Sequence, residues 1–253
     1  MMNTLNKLKV NYVTYAMFLL ALLSGYFKNI SVIFSIIIIH EFGHVFFIKL
    51  FNYNIEKIEI FPFGGITRVN KPINSSINKE LIIANGGILF QLLLGIVINV
   101  FLYNDTYLYK IFNEYNKYII LFNLIPIIPL DGYKIFNLLL EKVLSYKKAY
   151  RVSQLISIIC LIIFVIFNIK YKINNYVMIS LLIYKVIDSF KLFPYYYNMF
   201  LLERHLYQFP YKEIIYNNRK DLSLLKKEKY HFFKRNGLIY SEKTLLNNKF
   251  CNK

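Results

Sequence analysis

Three residues have the types and spacing for peptide hydrolysis with a metal: His40, Glu41 and His44, in the pattern H-E-x-x-H. On a helix, residues four apart share a face, so both histidines can reach one ion. Glu41, between them, is placed to act on a water held by that ion. The surrounding segment 31–51 reads SVIFSIIIIHEFGHVFFIKLF and is apolar almost throughout. Ionisable groups cost several kcal/mol in hydrocarbon and are rarely found there without a purpose. The pattern therefore predicts metal-dependent proteolysis inside a bilayer.

A catalytic zinc takes three protein ligands and keeps one position open, so two histidines are not enough. Asp131, in the run NLIPIIPLDGYK at 123–134, is the obvious further candidate. It is an acid in an apolar stretch, with Pro126, Pro129 and Gly132 breaking the helix around it. A carboxylate there needs a compensating partner, and a metal is a strong one. The competing reading, an interfacial acid capping the turn before Gly132, loses ground beside an intramembrane H-E-x-x-H. If 31–51 and 118–140 each cross in the same direction, a rise of about 1.5 Å per residue gives compatible depths for the three side chains.

The elements that must position these groups follow from hydropathy and charge. The 253-residue chain is 57% hydrophobic with mean hydropathy +0.40. Its apolar residues fall in six blocks, at 10–27, 31–51, 81–103, 118–140, 152–169 and 176–193. Most approach the roughly 20 residues needed to cross a bilayer. The expected fold is an all-α membrane protein of about six transmembrane helices. Residues 1–193 form the membrane domain, and 194–253 form a short basic cytoplasmic tail. The first block has no small-residue cleavage exit and reads as a retained span. Alternate loops carry ten Lys/Arg against five, and the tail adds twelve Lys/Arg against five Asp/Glu. The positive-inside rule then puts both termini in the cytoplasm.

The net charge of +17 fits a membrane surface better than nucleic acid. Cys160 and Cys251 are too far apart in sequence and setting to suggest a disulfide framework or a cysteine zinc site. His205 and His231 read as surface residues of a polar tail, and Asp188 and Glu203 as interfacial charges. Between the second and third blocks, IEIFPFGGITRV at 58–69 predicts a hairpin or re-entrant strand pair bent at Pro62 and Gly64–Gly65. The alternative is an ordinary loop lying on the headgroups.

The chain resembles the site-2 proteases, intramembrane zinc metalloproteases, and within them the sporulation branch. The resemblance rests on HEFGH at 40–44, FPFGG at 61–65, NLIPIIPLDG at 123–132 and FLLER at 200–204, in the family order and over roughly residues 5–205. It implies zinc held by His40, His44 and Asp131, with Glu41 as general base. It also implies Asn123, Pro129 and Phe63 near the substrate. The implied substrate is a membrane-associated protein such as a pro-sigma factor, in a bacterial cell membrane or the membrane around a forespore. Anti-sigma factors and remnant signal peptides are alternatives, and inhibitory membrane partners are implied as well.

Three features depart from the family. ANGGILFQ at 84–91 stands where relatives have A-G-P, and Tyr133 replaces a glycine after Asp131-Gly132. The tail is short where relatives of this branch carry a cystathionine-β-synthase-like domain, so it reads as a truncated form of that region. Two rival classes are a non-catalytic scaffold and a metal transporter. The complete set of reactive residues argues against a scaffold. The lack of internal repeats, and a general-base Glu41 that transport does not need, argue against a transporter.

Overall fold

The structure, a computed structural model, describes residues 8–10, 12, 19, 23, 25–61, 64–101, 107–168, 173–235 and 237–251. Its elements are β1 (Leu8–Val10), α1 (Phe27–Leu50), β2 (Asn54–Phe61), β3 (Gly64–Asn70), α2 (Ile77–Phe101), α3 (Tyr107–Leu124), α4 (Asp131–Val143), α5 (Tyr146–Asn168), α6 (Ile173–Leu206), β4 (Glu213–Asn217), β5 (Lys229–Arg235), β6 (Leu238–Ser241) and α7 (Glu242–Phe250). Helix dominates, and α1, α2 and α5 are long and apolar enough to cross a membrane. The chain is nevertheless not all-α: the described residues include two three-stranded sheets. It divides into two compact units, residues 1–71 with 82–123, and residues 72–81 with 124–253.

In the first unit, α1 ends in a defined stop. Asn52 adopts a positive φ of 58°. Its N–H donates to the Lys49 carbonyl, and that of Tyr53 to the Ile48 carbonyl, at 2.9 and 3.0 Å. This paired bonding satisfies carbonyls that a helix end leaves orphaned, and asparagine tolerates the left-handed backbone better than most residues. The turn delivers the chain into the hairpin β2–β3, antiparallel from Asn54↔Asn70 to Phe61↔Gly64. The hairpin expected from the sequence is thus present. β1 adds to it in parallel, pairing Leu8–Val10 with Ile58–Ile60. Val10, expected to open the first span, is in a strand instead. Val45, Ile48 and Ile55 bury together and join helix to hairpin.

The expected span 118–140 is not one helix. Helix α3 stops at Leu124 and α4 starts at Asp131. Between them lie Pro126 and Pro129, neither of which can donate a helical hydrogen bond. The continuous-rise estimate of Asp131's depth therefore does not hold. Gly132 is required where the chain doubles back, since a Cβ there would sit 2.6 Å from the Ile125 carbonyl oxygen.

The tail is folded. β5 pairs in parallel with β4 and antiparallel with β6. The face bearing Phe233 packs with Leu225, Leu245 and Leu246 against Tyr146, Phe200 and Leu201. Tyr146 and Phe200 stack with centroids 4.2 Å apart. Buried charges fasten this core. Arg204 meets Glu242 at 2.7 Å, with both side chains almost fully buried, and donates to the carbonyls of Lys226 and Lys229. Lys227 sits between Glu141 at 2.9 Å and Glu80 at 3.1 Å. Glu203 accepts from the backbone N–H groups of Ile73 and Asn74.

His231 is completely buried rather than on the surface, because the tail folds around it. Its Nε2 accepts from the Lys226 N–H at 3.0 Å, and its Nδ1 lies 2.8 Å from the Asn217 amide. Burial first, then the charges of Arg204, Lys226 and Lys229, push its pKa down to about 4.

Candidate metal centre

His40 and His44 lie one turn apart on α1, and both are buried. Their Nε2 atoms face each other at 3.1 Å, with the rings nearly perpendicular at 78°. Helix α2 engages the opposite nitrogens. His44 Nδ1 is 2.8 Å from the carbonyl oxygen of Ile83, and His40 Nδ1 is 2.9 Å from Oε1 of Gln91. Such oxygens only accept, so each Nδ1 carries the ring proton. A neutral imidazole protonated at Nδ1 leaves Nε2 unprotonated and able to bind a metal. Two lone pairs at this distance repel unless a cation lies between them. A divalent ion taking both nitrogens fits the donor set, and acceptors on the far ring nitrogens are the usual support for histidine ligands.

The space for an ion comes from α2. A Cβ on Gly87 would lie 2.6 Å from Nε2 of both histidines. One residue earlier, a Cβ on Gly86 would lie 2.8 Å from the Gly43 carbonyl oxygen and from Phe47 Cδ2. Small residues let the two backbones approach closely, as is common between membrane helices. The pair of glycines standing in place of A-G-P thus has two separate jobs. Gly86 sets the helix spacing and Gly87 leaves room at the histidines.

Glu41 follows His40 on α1 and is partly exposed. In the second unit, Asp131 is buried and opens α4, where a negative charge is favoured by the helix dipole. Lys134 donates to its Oδ1 at 2.8 Å. Asp131 is thus the first residue of α4, and no side-chain capping bond is made at that helix start. Pro129 is exposed and follows Ile128, whose N–H donates to Ser157 Oγ at 2.9 Å. Asn123 is the last residue but one of α3, in the first unit, and is partly buried. Phe63 lies outside the described residues. His205 and His231 both belong to the second unit with the tail, and neither joins a metal-ligating group among the described residues.

Sequence reasoning missed Gln91 and the roles of Ile83 and Gly87. The available signal was the one glutamine of α2, in its apolar run, one turn after Gly87 and two after Ile83.

Residues 28–119 match the model of peptidase family M50. The chain is 31% identical over 193 residues to stage IV sporulation protein FB of Bacillus subtilis, covering 74% of this chain and 67% of that protein. It is 27% identical over 192 residues to a zinc metalloprotease of Methanocaldococcus jannaschii, covering 68% of this chain and 54% of that one. Among solved structures it is similar to a site-2 protease from Methanocaldococcus jannaschii, with TM-score 0.55 and 23% identity, over 73% of this chain and 90% of the other. That likeness is one of fold.

Proposed function

The chain belongs to peptidase family M50 as a site-2-type zinc metalloprotease, and on that premise we propose that it cleaves a membrane-associated regulatory protein within or near the bilayer. The observation that carries this reading is the buried histidine pair, with both Nδ1 protons held by acceptors and both Nε2 atoms converging. His40 and His44 would hold the zinc, and Asp131 would supply the carboxylate ligand. All three are buried and each offers a ligand atom. Zinc, when bound, acidifies water and polarises the scissile carbonyl.

The chain's own residues do the rest. Glu41 takes the proton from the attacking water and returns it to the leaving amine. A helical peptide bond is shielded by its own hydrogen bonds, so the substrate must unwind near the cut. β3 is an edge strand of its sheet among the described residues, and an edge can pair with an extended peptide. Asn123 hydrogen-bonds the substrate backbone, and Pro129 and Phe63 flank it.

The substrate we propose is a membrane-associated pro-sigma factor, in keeping with the likeness to a sporulation protein. The six-crossing topology with both termini in the cytoplasm rests on the apolar blocks and the ten-to-five charge asymmetry. The basic tail then lies on the same side as such a substrate.

The test is co-expression with a membrane-associated pro-sigma factor, beside a Glu41→Gln version. A shorter product with the native chain alone supports the reading. Cleavage by both points to another protease. Cleavage by neither, with zinc bound, rules out this substrate and turns the search to anti-sigma factors and remnant signal peptides.

A further inference from the structure

Gln91 is completely buried in the apolar helix α2. A carboxamide at membrane depth is costly unless its donors and acceptors are met, so its surroundings indicate what it is for. Its Oε1 accepts from His40 Nδ1 at 2.9 Å. Its Nε2 points to Asn116 Oδ1 at 3.5 Å, and Asn116 Nδ2 donates to the Gln91 backbone oxygen at 3.3 Å. Asn116 is itself buried, on α3. A chain of amides therefore runs from α3 through α2 to the ring of His40.

The face of α2 has a four-residue rhythm. Ile83 offers a carbonyl to His44, Gly87 leaves space at both Nε2 atoms, and Gln91 offers a carboxamide to His40. Residues four apart on a helix stack along one face. The two histidines are thus held by unlike partners. His44 is held by a backbone carbonyl, which any residue would supply. His40 is held by a side chain, which only this residue supplies. A carboxylate would orient the ring equally well, but it would add a charge in hydrocarbon. The neutral amide supplies the acceptor without one.

We propose that Gln91, anchored by Asn116, is a positioning residue for zinc: it fixes the tautomer and rotation of His40 so that Nε2 stays aimed at the ion. The proposal rests on His40 being a ligand, as argued above. Outer partners of histidine ligands typically affect metal affinity by about 10–100-fold.

The experiment is zinc competition against a graded chelator on the full chain in detergent, with the visible spectrum of the cobalt-substituted protein as a second readout. The variants are Gln91→Leu, Gln91→Glu, Asn116→Leu and the control His40→Ala. Gln91→Leu is expected to weaken zinc binding by about 10–100-fold and to shift the cobalt bands. Gln91→Glu keeps the acceptor and should restore affinity to within a few fold. Asn116→Leu leaves Gln91 in place but unanchored, and should lose severalfold. If Gln91→Leu does not fold, Asn116→Leu decides alone. Zinc affinity within twofold of native and an unchanged cobalt spectrum in the folded variants would overturn the proposal. Should the native chain and His40→Ala bind zinc equally, the ligand reading itself fails. A loss in His40→Ala but not in Gln91→Leu or Asn116→Leu sinks only the role given to Gln91.

Discussion

The two units bury polar groups by opposite rules. On α1 and α2, His40 and His44 are met by a neutral carboxamide and a backbone carbonyl. In the tail, Arg204 and Lys227 are met by Glu242, Glu141 and Glu80, charge against charge. Neutral partners suit a site that is to receive a cation, since the pair then keeps its lone pairs for the ion. Opposed charges suit a fastening, because each ion cancels the desolvation cost of the other only while both stay in place. The same burial thus suits the proposed binding in one region and serves assembly in the other.

Breaking each region in turn sharpens the contrast. The largest effect is expected from Glu41→Gln, which removes the only carboxylate on the histidine helix while leaving both imidazoles. Cleavage should fall by about 10²–10⁴-fold or more, with zinc content unchanged, as a substrate gel beside metal analysis would show.

In the tail, Lys227→Met takes the shared cation from the buried Glu141 and the partly buried Glu80 and should cost about 3–5 kcal/mol, read as earlier thermal unfolding and faster proteolysis of residues 207–251. Replacing Lys227, Glu80 and Glu141 together by leucine should recover most of that loss, because no charge is then left unpaired. Failure to recover would mean that the cluster acts through something other than charge balance.

Gly87→Ala makes a third contrast. Alanine favours a helix interior by about 1 kcal/mol, so the helix should hold. The new Cβ would nevertheless crowd both Nε2 atoms, so the variant should lose zinc before it loses thermal stability. Equal zinc occupancy in native and variant protein would refute the space-making role.

The smallest effect is a pH dependence confined to the tail. His231 is held at about 4 in the folded chain against an ordinary 6.5, so its neutral ring contributes fully above about 6.5. That contribution drains as pH falls toward 4, at up to about 1.4 kcal/mol per pH unit. Protonation would put a new N–H against the Lys226 N–H that Nε2 now accepts. Tail stability followed by proteolysis between pH 7 and 4 should decline in the native chain and flatten in His231→Gln.

The tail also marks where sequence reading fell short. FLLER at 200–204 was visible as a motif, but its function as a hub was not. Phe200 and Leu201 enter the core, Arg204 takes Glu242, and Glu203 takes the backbone at residues 73 and 74. Those partners lie 38 to about 130 residues away, and local pattern carries no information about them. The same holds for His231, which reads as polar surface until β4, β5 and α7 close around it. The break before Asp131 was legible, since proline acts on its own backbone.

By itself the sequence determined the chemistry and the local geometry. Spacing by four puts His40 and His44 on one face, and prolines with Gly132 interrupt the helix before Asp131. Those follow from backbone sterics and helical period, which act over a few residues. The tertiary structure alone decided which nitrogen of each histidine is bare, because that depends on Ile83 and Gln91 lying opposite them. It also decided that Gly87 is a space and not merely a flexible point. Both are matters of register between two helices, and register is set by the close approach of Gly43 and Gly86 across the pair.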